Sequence, residues 1–138
     1  FLWQIFDTRP RIVIDQIGIF DRTLGIGIIE WQDIEHAYLN SIFGNKFISL
    51  VLHDNEKYLQ RISKPKAKLA QYNKTLGFET INLNLSGVNI KPNEVFDLII
   101  KQLTIVKIKN LKNLVFNVEL QHSNQNDVVS NRSSDSQT

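Results

Sequence analysis

The sequence predicts an α+β domain in which a small curled antiparallel sheet is closed by a C-terminal helix, and three observations carry this. Residues 9–52, RPRIVIDQIGIFDRTLGIGIIEWQDIEHAYLNSIFGNKFISLVL, break into short apolar runs separated by turn residues, as sequential short strands do. After residue 53 the apolar spacing lengthens from two residues to three or four, the mark of helix. Pro92 then opens a broad apolar stripe of Val95, Leu98, Ile99, Leu103 and Val106, which suits a helix covering a sheet.

Residues 11–15 alternate as a strand, and residues 17–20 return after a tight Asp15-Gln16 turn to form a hairpin. Residues 25–29 give a third strand, with Ile26 and Ile28 on one face and the glycines permitting a bend. Trp31 leads a short turn. Residues 34–40 and 46–52 are two further strands, joined around Phe43-Gly44-Asn45, where Gly and Asn tolerate the positive φ of a hairpin connection.

Asp54 can cap a first short helix over 55–62, in which Tyr58, Leu59 and Ile62 share a face. Ser63 can cap a second over 66–76, with Pro65 tolerated in its first turn and Leu69, Tyr72 and Leu76 directed inward. Gly77 stops it, and Phe78 can fold back on the last turn. Ile81, Leu83 and Leu85 alternate with Asn82 and Asn84 as a half-buried strand. Beyond residue 108 the pattern fits helix or strand equally through 120. Residues 121–138 are mostly Ser, Asn, Gln and Asp, too polar to offset chain entropy, so they read as a disordered tail.

With 138 residues and 42% of them apolar, the chain can bury the core of one domain. Cys is absent, which excludes disulfides, thiolate metal sites and cysteine nucleophiles. The net charge of +2 hides an uneven distribution. Residues 1–54 hold four basic and seven acidic side chains, residues 55–112 eleven and four, and residues 113–138 one and three.

The chain opens on Phe and contains no Met, which predicts a segment upstream. Residues 1–8 are expected to be membrane-proximal, because Phe1, Leu2, Trp3 and Phe6 have the aromatic character of a segment leaving a bilayer at the headgroup level. Arg9 and Arg11 follow at once, and beside an anchor they favour a cytoplasmic placement for the domain. The domain itself is expected over residues 9–108.

The alternating strands and final amphipathic helix look like a pleckstrin-homology-like barrel whose last helix plugs one open end. The order IVIDQIGIFD, IGIIEWQDIE, GNKFISLVL, NEKYLQRI, KLAQYNKTLG, INLNL and NIKPNEVFDLIIKQL resembles small bacterial membrane proteins of unknown function that carry such a domain. The likeness spans residues 9–103 and is strongest at Trp31-Gln32-Asp33-Ile34 and Asn55-Glu56-Lys57-Tyr58-Leu59. It departs at Lys91, where the pattern has a Ser-like cap before the Pro, and in the polar tail. The resemblance implies a membrane-anchored protein and brings no activity with it.

No constellation with recognisable chemistry stands out. Asp33 and Glu35 beside Trp31 could divide acid and base roles, but two residues apart on a strand they share a solvent face, and Trp31 is more simply a core anchor. His36, His53 and His122 lack metal-ligand spacing. Gly25-Ile26-Gly27 runs into a strand rather than a helix N-terminus, so it cannot hold a pyrophosphate. Ser41, Ser49, Ser63 and Ser86 lack a nucleophile-elbow context.

One surface feature is left. Lys57, Arg61, Lys64, Lys66, Lys68 and Lys74 cluster on the two short helices and could contact anionic lipid, each contributing about 1 kcal/mol near such a surface. The expectation is a non-enzymatic, cofactor-free, membrane-associated domain that binds a protein partner, with anionic lipid or a small ligand on the basic helices as the alternative. Nucleic acid is not expected, since Tyr58 and Tyr72 are assigned to the core rather than to a stacking surface.

Overall fold

A computed structural model describes residues 11–134, with side chains to residue 130. The expected membrane-proximal residues Phe1, Leu2, Trp3, Phe6 and Arg9 lie outside the described residues. The elements run β1 (Ile12–Ile14), β2 (Gly18–Asp21), β3 (Ile28–Glu30), a 3₁₀ turn (Trp31–Asp33), β4 (Ile34–Ile42), β5 (Asn45–Leu52), α1 (Glu56–Leu59), α2 (Lys64–Thr75), β6 (Ile81–Asn84) and α3 (Pro92–Ser134). The chain divides into two compact units, the first ending at Leu103 and the second starting at Thr104.

The first hairpin is built by Asp15. Its backbone N–H donates to Gly18 O (3.1 Å), while its Oδ1 accepts from the N–H groups of Ile17 (2.8 Å) and Gly18 (3.1 Å). A short carboxylate that satisfies two turn donors is what favours Asp at this position. Strand β2 pairs antiparallel with both neighbours, Val13 opposite Phe20 and Ile19 opposite Ile29. The expected third strand starts three residues late. Gly25 and Gly27 adopt φ of 70° and 75°, outside the extended region, so pairing begins only at Ile28. Ile26 is buried and Ile28 is exposed, so the two do not share a face as expected.

The second sheet orders β4-β5-β6, all antiparallel, with Leu39 opposite Ile48 and Ile48 opposite Leu83. Ile42 and Asn45 close the β4–β5 hairpin around Phe43 and Gly44, whose φ values of 50° and 79° are those of a type I′ turn. The expected barrel is corrected here. Among the described residues the six strands form two separate three-stranded sheets and no closed barrel. The turn at Trp31–Asp33 interrupts the backbone between β3 and β4, and with only three residues each β1 and β3 are too short to bridge the sheets.

The core of the first unit contains Ile19, Ile29, Trp31, Ile34, Ile48, Leu50, Tyr58, Leu83 and Ile99. Trp31 is structural, as expected: it is 3% exposed, and its Nε1 donates to Asp15 O at 2.7 Å, joining the 3₁₀ turn to the first hairpin. From the stripe of α3, Val95, Ile99 and Leu103 are buried, whereas Leu98 is exposed.

The helix ends follow the sequence closely. Asp54 Oδ1 accepts from the N–H of Glu56 (2.9 Å), and Ser63 takes the extended N-cap position of α2, though its side chain does not make the capping bond expected of it. At its C-terminus the Phe78 N–H reaches Asn73 O (3.0 Å) and the Gly77 N–H reaches Lys74 O (3.1 Å), the paired bonds of a Schellman stop, with Gly77 at φ 86°.

In the second unit, residues 109–120 are helical, and so are residues 121–134, where a disordered polar tail was expected. Nothing after Pro92 interrupts the backbone ladder, because neither Gly nor Pro follows it. Every side chain from 107 to 130 is exposed, so backbone hydrogen bonds rather than burial hold this stretch. No helix among the described residues is long and apolar enough to cross a membrane.

Candidate functional site

Helix α2 should bury an apolar face, yet it does not. Leu69, Tyr72 and Leu76, expected inward, are 61%, 59% and 55% exposed, and no residue of α2 is buried. With Leu69 and Leu76 on alternate turns and Ala70 between, this face looks into an open groove of about 540 Å³ in the first unit. The same groove is lined by Ile42, Phe43 and Phe47 of the β4–β5 hairpin and by Leu24, Ile26 and Leu59. The volume lies within the range of small-molecule sites, and the lining is apolar apart from Lys66, Thr23, Thr80, Asn73 and Asn82.

Phe43 is the most unusual residue of this lining. It is fully exposed, and it is the only described non-glycine residue with positive φ. A bulky side chain in left-handed backbone costs about 1–2 kcal/mol relative to Gly, and water gives it nothing in return. Phe43 thus adopts strained backbone without gaining burial for its side chain.

The six basic residues singled out from the sequence separate into two groups. Lys57 and Arg61 are engaged within the domain. Lys57 Nζ donates to Asp33 Oδ2 (2.6 Å) and lies 3.9 Å from Glu30, while Arg61 donates to Ile26 O (3.1 Å) and stacks its guanidinium 4.7 Å from the Tyr58 ring centre. Lys64, Lys66, Lys68 and Lys74 are exposed on α2, a helix without an acidic residue, and Lys66 lines the groove. Arg11, expected beside a membrane, is held by the domain: it donates to Ser86 O and Asn84 O (2.6 Å each) and approaches buried Asp21 at 4.0 Å.

Asp33 does not share a solvent face with Glu35. It sits in the 3₁₀ turn and accepts from both Lys57 and the Tyr58 hydroxyl, and that hydroxyl in turn accepts from the Glu30 N–H (3.1 Å). Burial pushes the Asp33 carboxyl upward, but the bonds from Lys57 and Tyr58 outweigh it and hold the group below the usual carboxylate range. Burial first, and then the bond to Asp33, push the Tyr58 phenol up. The Asp33 carboxylate, Lys57 and the Tyr58 hydroxyl together make a clasp between the 3₁₀ turn and α1. Among the described residues no cluster of three metal-ligating side chains exists.

Sequence reasoning missed the groove because Leu69 and Leu76 carry the helical spacing of core residues, and spacing does not say whether the facing surface is filled. The Phe43-Gly44 pair was visible as a turn, and the absence of Asn or Asp from its first position was the available signal. No known family, curated protein or solved structure matches the chain.

Proposed function

We propose that this chain is a non-enzymatic interaction module, and that its binding site is the groove between α2 and the β4–β5 hairpin. The observation that carries this reading is the unfilled apolar face of Leu69 and Leu76 opposite a wholly exposed Phe43. Such a face fits a protein segment that inserts one or two apolar side chains and carries an acidic residue toward Lys66, which lines the groove. Two short antiparallel sheets and a long C-terminal helix are compatible with a pleckstrin-homology-like ancestry, a reading that also draws on the order of the sequence motifs.

The same reading places the module beside a membrane, facing the cytoplasm. It rests on the Trp and Phe residues of positions 1–6 and on Arg9, with Arg11 now assigned to the domain. The test is capture of partners by the tagged chain from its native membranes, comparing wild type with Leu69→Asp/Leu76→Asp. Partners lost from the variant, at unchanged thermal stability, support the groove. Equal recovery by both chains overturns it.

A second reading, contact with anionic lipid, is favoured by one observation: α2 presents four exposed lysines and no acid. It requires salt-sensitive binding to phosphatidylglycerol vesicles that weakens in Lys64→Gln/Lys66→Gln/Lys68→Gln, and no binding to phosphatidylcholine.

A further inference from the structure

We propose that residues 104–122 of α3 pair with the same segment of a second copy of this chain as an antiparallel two-helix coiled coil. Ile108, Leu111, Val115 and Val118 recur at alternating spacings of three and four residues, the seam spacing of a coiled coil. All four are exposed, at 48%, 61%, 57% and 58%, and Leu114 beside them is 61% exposed. At 3.6 residues per turn, Asn110, Asn113 and Asn117 take the opposite side of this stretch. Four apolar residues at seam spacing with three amides across the helix form a stripe open to a partner, while Val106, Phe116 and Leu120 lie off that stripe.

Charge selects the partner and its direction. Lys112 and Glu119 occupy the same seam-flanking position one repeat apart, and both line the shallow groove formed with Ile108, Leu111, Val115 and Phe116. In an antiparallel pairing that sets Ile108 against Val118 of the second copy and Leu111 against its Val115, Lys112 falls opposite Glu119 of the second copy. The two-fold axis repeats that pair, and Leu114 meets its own copy at the centre. A parallel pairing would set Lys107 beside Lys112 of the second copy and leave Glu119 facing Leu114. Only the antiparallel arrangement joins unlike charges, twice along one flank, so the surface is complementary to itself in one direction.

The test is sedimentation equilibrium on the full chain across a wide concentration range. A dimer is expected, and Leu111→Asn/Val115→Asn should abolish it while the fluorescence and melting of Trp31 stay unchanged. Lys112→Glu should weaken the dimer about tenfold by setting like charges against each other twice along one flank, and adding Glu119→Lys should restore it. The chain has no Cys, so in Leu114→Cys the introduced thiol is the only one and should oxidise to a covalent dimer. A chain that remains monomeric, a dimer indifferent to Leu111→Asn/Val115→Asn, or a dimer strengthened by Lys112→Glu, as parallel pairing requires, would overturn the proposal. So would binding of a monomeric chain to phosphatidylcholine vesicles through this stripe, which would assign the face to lipid.

Discussion

The Tyr58 hydroxyl donates to the Asp33 carboxylate, and this bond fastens the single turn of α1 to the 3₁₀ turn that follows the first sheet. A four-residue helix cannot hold its shape alone. Tyr58 is wholly buried, Lys57 closes the clasp from the solvent side, and the Arg61 guanidinium covers the ring, so three of five consecutive residues fix this helix in place.

The clasp gives the fold an acid sensitivity of defined sign. Asp33 has its carboxyl held below the ordinary value of 3.8, so its contribution is complete above that value and is lost as pH falls through the lower folded value. The bond raises Lys57 in turn, so on that side the contribution is present below the ordinary lysine value of 10.5 and fades as pH rises through the folded one. Urea unfolding of wild type should therefore weaken between about pH 5 and pH 2 more than unfolding of Asp33→Asn does. Tyr58→Phe, which leaves the carboxylate one donor short, should cost about 1.5–3 kcal/mol at neutral pH. A Tyr58→Phe chain as stable as wild type would show that the clasp contributes nothing.

A second prediction concerns Gly18, whose role is steric. A Cβ there would stand 2.1 Å from Ile29 O, a backbone atom of the paired strand that cannot withdraw without breaking the β2–β3 register. Gly18→Ala should cost at least ~2 kcal/mol in chemical denaturation, at the upper part of the range for overpacking. An undisturbed melting temperature would mean that the two strands do not approach so closely.

Much of the fold was legible because the sequence states it locally. Asp15 at the first turn, Asp54 and Ser63 before helices, Gly77 after one, and the Ile81–Leu83 alternation each act within a few residues, and each stands where the periodicity placed it. What failed was non-local. Whether strands close into a barrel depends on where Gly25 and Gly27 leave extended backbone, and whether Leu69 and Leu76 are core depends on a surface remote in sequence. The same holds at the site. Lys57 and Arg61 read as solvent lysine and arginine until Asp33, Glu30 and the Tyr58 ring are brought beside them.

The two ends of α3 should behave differently on truncation. Val95, Ile99 and Leu103 are buried, and each such side chain is worth about 1.5–3 kcal/mol. A chain ending at Lys91 loses all three, an amount comparable with the whole stability of a small domain, and should be unfolded by circular dichroism. Removing residues 121–138 takes away only exposed side chains among those described. It should lower the helical signal and leave the Trp31 melting transition in place. A folded chain ending at Lys91 would show that α3 is no part of the core.

The most discriminating prediction sets stability against function at one residue. The Phe43-Gly44 turn needs positive φ at both positions, and Asn is the residue that tolerates it best at the first. Phe43 makes the turn with a side chain that is fully exposed, so the fold gains no burial from it. Phe43→Asn should therefore raise stability by roughly 0.5–1 kcal/mol through relief of backbone strain. If the groove is the binding site, the same change removes an apolar contact at its mouth and should reduce partner capture about tenfold, the loss of a well-packed anchor at an interface. Thermal melting and capture from native membranes, run on the same variant, separate the two effects. A gain in stability together with lost capture is the signature of a residue kept for binding. Full capture by the stabilised variant would remove Phe43 from the site and leave Leu69 and Leu76 to carry the groove alone.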